Sequence, residues 1–124
     1  MLNLKKKSLW LQNLIPQNNI RKILQENPVI PVVSFNSIED VEPTINLLIS
    51  KGINCIEITL RNEYAFACIQ AAKALNILGF EVGVGTVVSE EQIQQVTSLG
   101  VDFMVSPGIN KNLSKALNNS GIPF

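Results

Sequence analysis

A recurring beat of apolar runs and glycines leaves few folds open to this sequence. Short runs rich in β-branched residues begin at positions 29, 53, 80, 101 and 122, so their starts lie 24, 27, 21 and 21 residues apart. The runs are Val29–Ser34, Ile53–Leu60, Phe80–Val84, Val101–Val105 and a final stub, Ile122–Phe124. An interval of that length holds one strand, one helix and their connections. Gly52, Gly79, Gly100 and Gly121 stand immediately before the later runs. Glycine accepts the left-handed backbone that ends a helix, so these four predict four helix C-termini in register.

The segments between the runs carry helix-start chemistry and a 3.6-residue apolar period. The first opens at Ser37, with Asp40 three residues on as the reciprocal member of a capping box, and shows Ile38, Val41, Ile45, Leu48 and Ile49 on one face. The second spans about Asn62–Leu78, with Ala65, Ile69, Ala72 and Leu75 on one face. The third opens at Ser89 with Gln92 three residues on, followed by Ile93, Val96 and Leu99. The fourth starts near Asn110 and shows Leu113, Ala116 and Leu117. A further helix, about Asn18–Glu26, precedes the first run and is halted by Pro28.

Strands that are almost continuously apolar are covered on both faces, and strand–helix alternation gives right-handed crossovers and a parallel sheet. The fold class is therefore α/β. An open five-stranded sheet would also fit the count. A nucleotide-binding version of it does not, because Gly83-Val84-Gly85 lacks the third glycine of a dinucleotide loop and no Walker lysine follows.

Composition narrows the chemistry. A chain of 124 residues is a single-domain length, and 46% hydrophobic with 16% charged residues is a globular balance. The absence of histidine removes imidazole acid–base catalysis, Ser-His-Asp and Cys-His triads, and imidazole-dependent metal sites. Zero net charge argues against a nucleic-acid or membrane-surface binder, although residues 1–22 carry +5 and the remainder −5. No apolar run approaches membrane-spanning length. The basic start lacks a secretory apolar core and cleavage site, so it reads as a surface lead-in, with Trp10 and Lys5–Lys7 its only notable residues. Cys55 and Cys68 read as small buried apolar residues of a cytoplasmic protein.

In parallel α/β folds, functional groups gather at the C-terminal ends of strands. The second run is the most informative. Alternation puts Cys55, Glu57, Thr59 and Arg61 on one face, and Ile56, Ile58 and Leu60 on the face that packs on helices. A carboxylate in such a strand is costly unless paired or hydrogen-bonded. A Glu57–Arg61 ion pair at a strand end would account for it, as would an acid–base group beside an anion-binding arginine. The third run ends in Gly83-Val84-Gly85-Thr86, where glycines admit close backbone approach and Thr86 offers a hydroxyl. The fourth ends in Ser106-Pro107-Gly108, a rigid turn with a free carbonyl at Pro107. Ser34-Phe35-Asn36, after the first run, is uninformative.

Taken together, Pro28-Val29-Ile30-Pro31-Val32-Val33, Ile56-Glu57-Ile58-Thr59-Leu60-Arg61, Val84-Gly85-Thr86-Val87-Val88, Ser106-Pro107-Gly108-Ile109 and Gly121-Ile122-Pro123 carry a resemblance. In order and spacing they resemble the 2-keto-3-deoxy-6-phosphogluconate / 4-hydroxy-2-oxoglutarate aldolase family. The resemblance covers about residues 18–124, and leaves 1–17 as an N-terminal lead-in. It implies the N-terminal half of a (β/α)8 TIM barrel, about four and a half βα units after a preceding helix.

The implied activity is that of a metal-free class I aldolase, without a cofactor. Such an enzyme cleaves a keto-acid aldol to pyruvate and an aldehyde through a lysine Schiff base, commonly as a homotrimer. By motif, Glu57 would be the general acid–base and Arg61 would hold the pyruvyl carboxylate. Thr86 would hydrogen-bond the same end of the substrate, and Pro107 would line the pocket through its carbonyl. The family's nucleophilic lysine lies on the sixth strand in a Lys-Phe-Phe-Pro-type segment, and its phosphate clamp follows later strands. This sequence stops at Phe124, inside the expected fifth strand, so the resemblance implies no Schiff-base lysine here. The expectations are then an aldolase half needing a complementary C-terminal chain, an inactive remnant or interaction fragment, or a small-molecule binder using Arg61.

Overall fold

A computed structural model describes residues 17–124, with side chains from Ile20 onward. The expected lead-in, including Trp10 and Lys5–Lys7, lies outside the described residues except for Gln17, which opens the first helix. The described order is α1 (Gln17–Glu26), β1 (Val32–Val33), a 3-10 turn (Ile38–Asp40), α2 (Val41–Ser50), β2 (Cys55–Thr59), α3 (Ala65–Ala74), β3 (Glu81–Gly85), α4 (Glu90–Ser98), β4 (Phe103–Met104) and α5 (Lys111–Ser120). All three strand pairings are parallel, in the order β1-β2-β3-β4. The expected strand–helix alternation is therefore present, one helix per crossover.

Helix punctuation follows the sequence closely. Ser89 caps α4 by accepting a hydrogen bond from the Gln92 N–H at 3.2 Å, while Gln92 Oε1 reaches back one residue past the cap to accept from the Val88 N–H at 2.8 Å. Asn110 caps α5 by accepting from the Leu113 N–H at 2.8 Å. Gly52, Gly79, Gly100 and Gly121 all have positive φ, as their placement predicts.

Three expectations need correction. Ser37 bonds the Glu39 N–H and caps a 3-10 turn, so the expected box with Asp40 does not form. The second crossover helix is Ala65–Ala74 rather than Asn62–Leu78. Asn62 holds its approach by accepting from the Tyr64 N–H at 3.0 Å, and Asn76, with φ 48°, stops the helix one turn before Gly79. The first run pairs as a strand only at Val32–Val33, because Pro28 and Pro31 carry no N–H for a ladder. The Glu57 N–H still reaches the Pro31 carbonyl at 2.8 Å, so the run lies alongside β2. The stub at 122–124 shows the same minimal pairing, with the Met104 N–H donating to the Pro123 carbonyl at 2.8 Å.

The two faces of the sheet differ sharply. Ile56, Ile58, Val82, Val84 and Met104 face the helices and join Val41 and Ile45 of α2, Cys68, Ile69 and Ala72 of α3, Ile93 and Val96 of α4, and Leu113 and Leu117 of α5. Burial of each such aliphatic side chain contributes about 1.5–3 kcal/mol relative to exposure. The N-terminal ends of the strands are tied by charge. Asp102 Oδ2 accepts from the Val82 N–H at 2.7 Å and from Lys73 Nζ at 3.0 Å, while the Asp102 N–H returns a bond to the Val82 carbonyl. This braces β3, the start of β4 and α3. An Asp102→Ala variant leaves the Val82 N–H without its acceptor and is expected to lose about 1–3 kcal/mol in urea unfolding. Lys73→Ala, which removes only a half-exposed charge, is expected to lose about 0–1 kcal/mol.

Candidate active site at the strand ends

The register assembles the site. Val32, Glu57, Gly83 and Phe103 form one row across the four strands, and Thr59 and Gly85 are partners one step nearer the strand C-termini. Partners in a parallel ladder project to the same side, so Glu57, Thr59, Gly83, Gly85 and Phe103 occupy the face opposite the helical core. This is the alternation expected for Glu57 and Thr59.

Glu57 is half-buried, with fully buried neighbours on both sides in β2. Its carboxyl lies across β3 against Gly85, in the space a side chain there would fill. Burial pushes the Glu57 carboxyl above its usual range, against a smaller downward pull from the Arg61 guanidinium. Arg61 itself is exposed just beyond the strand. Among the described residues, the ion pairs within 4.0 Å are Lys22–Glu26 and Lys73–Asp102, so Glu57 and Arg61 do not form the direct strand-end pair. A half-desolvated carboxyl with a guanidinium near it can hold or release a proton while the cation receives an anionic group.

Thr86 follows Gly85 directly and adopts φ 61°. A β-branched residue in the left-handed region is a true outlier, costing about 1–3 kcal/mol. Flanking hydrogen bonds impose it: the Leu60 N–H donates to the Gly85 carbonyl at 2.9 Å, and the Val87 N–H donates to the Val105 carbonyl at 3.1 Å. Thr86 is thus clamped between the end of β2 and the end of β4, one residue after the glycine that the Glu57 carboxyl overlies.

Pro107 stands apart from this group. It is exposed and lines an open cleft of about 420 Å³ with Val88, Ile109, Asn110 and Leu113, and none of Glu57, Arg61 or Thr86 belongs to that lining. Its turn is held by Ser106, whose hydroxyl donates to the Gly108 carbonyl at 2.5 Å. A larger cleft, about 760 Å³, runs between α4 and α5 past Ile93, Thr97, Lys115 and Asn119, in the helical layer rather than at the strand ends.

Several contributors went unread in the sequence. The Ser34 and Thr59 hydroxyls are hydrogen-bonded at 2.5 Å, joining the end of β1 to that of β2, and Thr59 is fully buried. Asn62 Nδ2 donates to the Phe35 carbonyl at 2.9 Å and ties the same two ends. The segment Ser34-Phe35-Asn36 therefore does carry structure at the site. The glycines of β3 do admit a close approach, and what approaches is the protein itself: the Phe103 ring at Gly83 and the Glu57 carboxyl at Gly85. A strand reading valine, glycine, valine, glycine was the available clue, since one whole face of it is bare.

A family model described as KDPG and KHG aldolase matches residues 20–124. The 2-dehydro-3-deoxy-phosphogluconate aldolase of Dickeya dadantii is 35% identical over 108 residues, covering 87% of this chain and 50% of the relative. The KHG/KDPG aldolase of Escherichia coli K12 has the same identity and coverage. Among solved structures, the 2-keto-3-deoxy-6-phosphogluconate aldolase of Zymomonas mobilis ZM4 with 3-phosphoglycerate superposes with a TM-score of 0.79 at 31% identity, covering 86% of this chain and 50% of that one. The KDPG aldolase of Legionella pneumophila, with pyruvate captured as a covalent carbinolamine, gives 0.75 at 33% identity, covering 79% and 47%. The chain spans about half the length of the curated relatives it matches.

The raised proton affinity of Glu57 has a defined sign. The folded state keeps this proton to higher pH than the unfolded chain, so the contribution of Glu57 to stability is fully present below the ordinary glutamate value of 4.5 and is lost as pH rises through the folded value. Glu57→Gln, which cannot ionise, is therefore expected to gain stability over the parent at neutral pH and to converge with it below that ordinary value. Urea unfolding across pH checks this.

Proposed function

The chain belongs to the KDPG and KHG aldolase family, with the fold of the N-terminal half of that family's TIM barrel, and on that footing we propose that it supplies one wall of a class I aldolase site. The reaction is cleavage of 2-keto-3-deoxy-6-phosphogluconate or 4-hydroxy-2-oxoglutarate to pyruvate and an aldehyde. The observation that carries this reading is Glu57, a half-desolvated carboxyl that rises from the middle of β2 and reaches over Gly85 at the C-terminal end of β3, with Arg61 beyond the end of β2.

Glu57 serves as the general acid–base. Imine chemistry requires a proton to be given to the departing carbinolamine hydroxyl, and cleavage of the carbon–carbon bond requires one to be taken from the aldol hydroxyl. A carboxyl whose proton affinity burial has raised performs both better than an ordinary surface glutamate. Arg61 receives the carboxylate of the keto acid through a charge-assisted pair, and Thr86, held at the same strand ends, adds a hydrogen bond to that end of the substrate. Pro107, which the family motif would bring to the pocket, sits in a separate cleft and takes no part in this reading.

The imine-forming lysine belongs, in this reading, to a complementary C-terminal half. Lys73 is engaged by Asp102, and Lys51, Lys111 and Lys115 are exposed on the helical layer, outside the desolvated setting that an imine-forming amine needs. In this reading the assembled enzyme works in the cytoplasm without metal or cofactor, within a family that is commonly homotrimeric. Among the described residues, no helix is long and apolar enough to cross a membrane.

Two outcomes are expected. Incubation of the 124-residue chain with pyruvate and borohydride leaves its intact mass unchanged, and a pyruvyl adduct on any of its lysines would contradict the placement of the amine. Addition of a chain supplying the relatives' C-terminal half restores cleavage, and Glu57→Gln then lowers kcat by about 10²–10⁴-fold. Restored cleavage that is indifferent to Glu57→Gln removes its acid–base role, and no restoration favours the remnant.

A further inference from the structure

We propose that Gly85 is a positioning residue for Glu57, the place where β3 omits a side chain so that the carboxyl can be seated. Strand β3 reads Glu81-Val82-Gly83-Val84-Gly85. Val82 and Val84 are buried in the helical core, so Glu81, Gly83 and Gly85 supply the opposite face. Neither Gly83 nor Gly85 has a positive φ, so backbone conformation does not demand glycine at either position. Space does. A Cβ at Gly83 would overlap the Phe103 ring, and a Cβ at Gly85 would overlap Glu57 Oε1 and stand 2.8 Å from Cδ and 3.1 Å from Cγ. The bare face of β3 is therefore a trough filled from both flanks, by an aromatic ring from β4 and a carboxyl from β2.

The trough fixes two properties of Glu57. It places the carboxyl two residues beyond its own Cα partner Gly83, over Gly85, the residue before the clamped Thr86. It also gives the carboxyl a backbone surface in place of water on one side, with the fully buried Phe103 ring at the adjacent position. Burial is the leading cause of the raised proton affinity, Arg61 is the cation that opposes it, and Glu81 is the other carboxyl on this face of β3. The catalytic meaning of the seat rests on the acid–base reading of Glu57, but the seat itself does not.

The test is a pH titration of the Glu57 side-chain carboxyl by carbon-13 NMR in the full chain. In the parent its midpoint is expected above the ordinary glutamate value. In Gly85→Ala the displaced carboxyl is expected to titrate closer to that value, with a lowered Tm. Glu57→Ala is expected to recover much of the Tm lost to Gly85→Ala, because the added methyl then fills vacated space. A folded Gly85→Ala variant with an unmoved Glu57 midpoint overturns the proposal. So does a Tm loss of the same size with and without the Glu57 side chain. If Gly85→Ala does not fold, recovery of folding in the double variant supports the seat and its failure rejects it. Loss of the aldolase reading would instead appear as cleavage indifferent to Glu57→Gln, with these titrations unchanged.

Discussion

Side-chain placement throughout the sheet depends on the register of β2 against β3. That ladder runs from Cys55 opposite Glu81 to Thr59 opposite Gly85. A slip of one residue would turn Glu57 into the packed layer between sheet and helices and would push Ile56 and Ile58 to the opposite side. Burying an unpaired carboxylate is costly while burying isoleucine is favourable, so the slipped pairing is disfavoured on both counts. The same bare glycine positions that receive Phe103 and Glu57 reinforce the choice, since a valine brought into either place would collide with them.

Division of labour between the two ends of the strands follows from this arrangement. At the N-terminal ends, Asp102 satisfies a backbone N–H and engages Lys73, a use of charge that holds elements together. Burial there raises Glu81, assisted by the negative charge of Asp102. At the C-terminal ends the polar groups include Ser34, Glu57, Thr59, Arg61 and Thr86, of which the Ser34 and Thr59 hydroxyls are bonded to each other. Stability is anchored at one end, which leaves the other able to present polar groups to a small molecule.

The alternation of runs, the caps at Ser89 and Asn110 and the four glycines made the α/β architecture legible in the sequence, because each rests on local chemistry that tertiary contacts did not override. Asn76 was not legible as a terminator, since asparagine enters the left-handed region only in some contexts while Gly79 nearby offered a stronger signal. Strand lengths were overread at Val29–Ser34 because apolar content does not register how few N–H groups a proline-bearing segment can pair. In the site, the common face of Glu57 and Thr59 followed from period two. The reach of the Glu57 carboxyl to Gly85, and the separation of Pro107 into another cleft, depend on three-dimensional neighbours that no one-dimensional pattern encodes.

The left-handed Thr86 has a mechanical consequence. Its torsion is sustained by one hydrogen bond on each flank, Leu60 to Gly85 and Val87 to Val105, and these link three separate stretches of chain. With the Val105 N–H also donating to the Val84 carbonyl at 2.8 Å, β2, β3 and β4 are tied to one another on both sides of the strained residue. The joint is placed like a keystone, one strained residue held by abutments that belong to its neighbours.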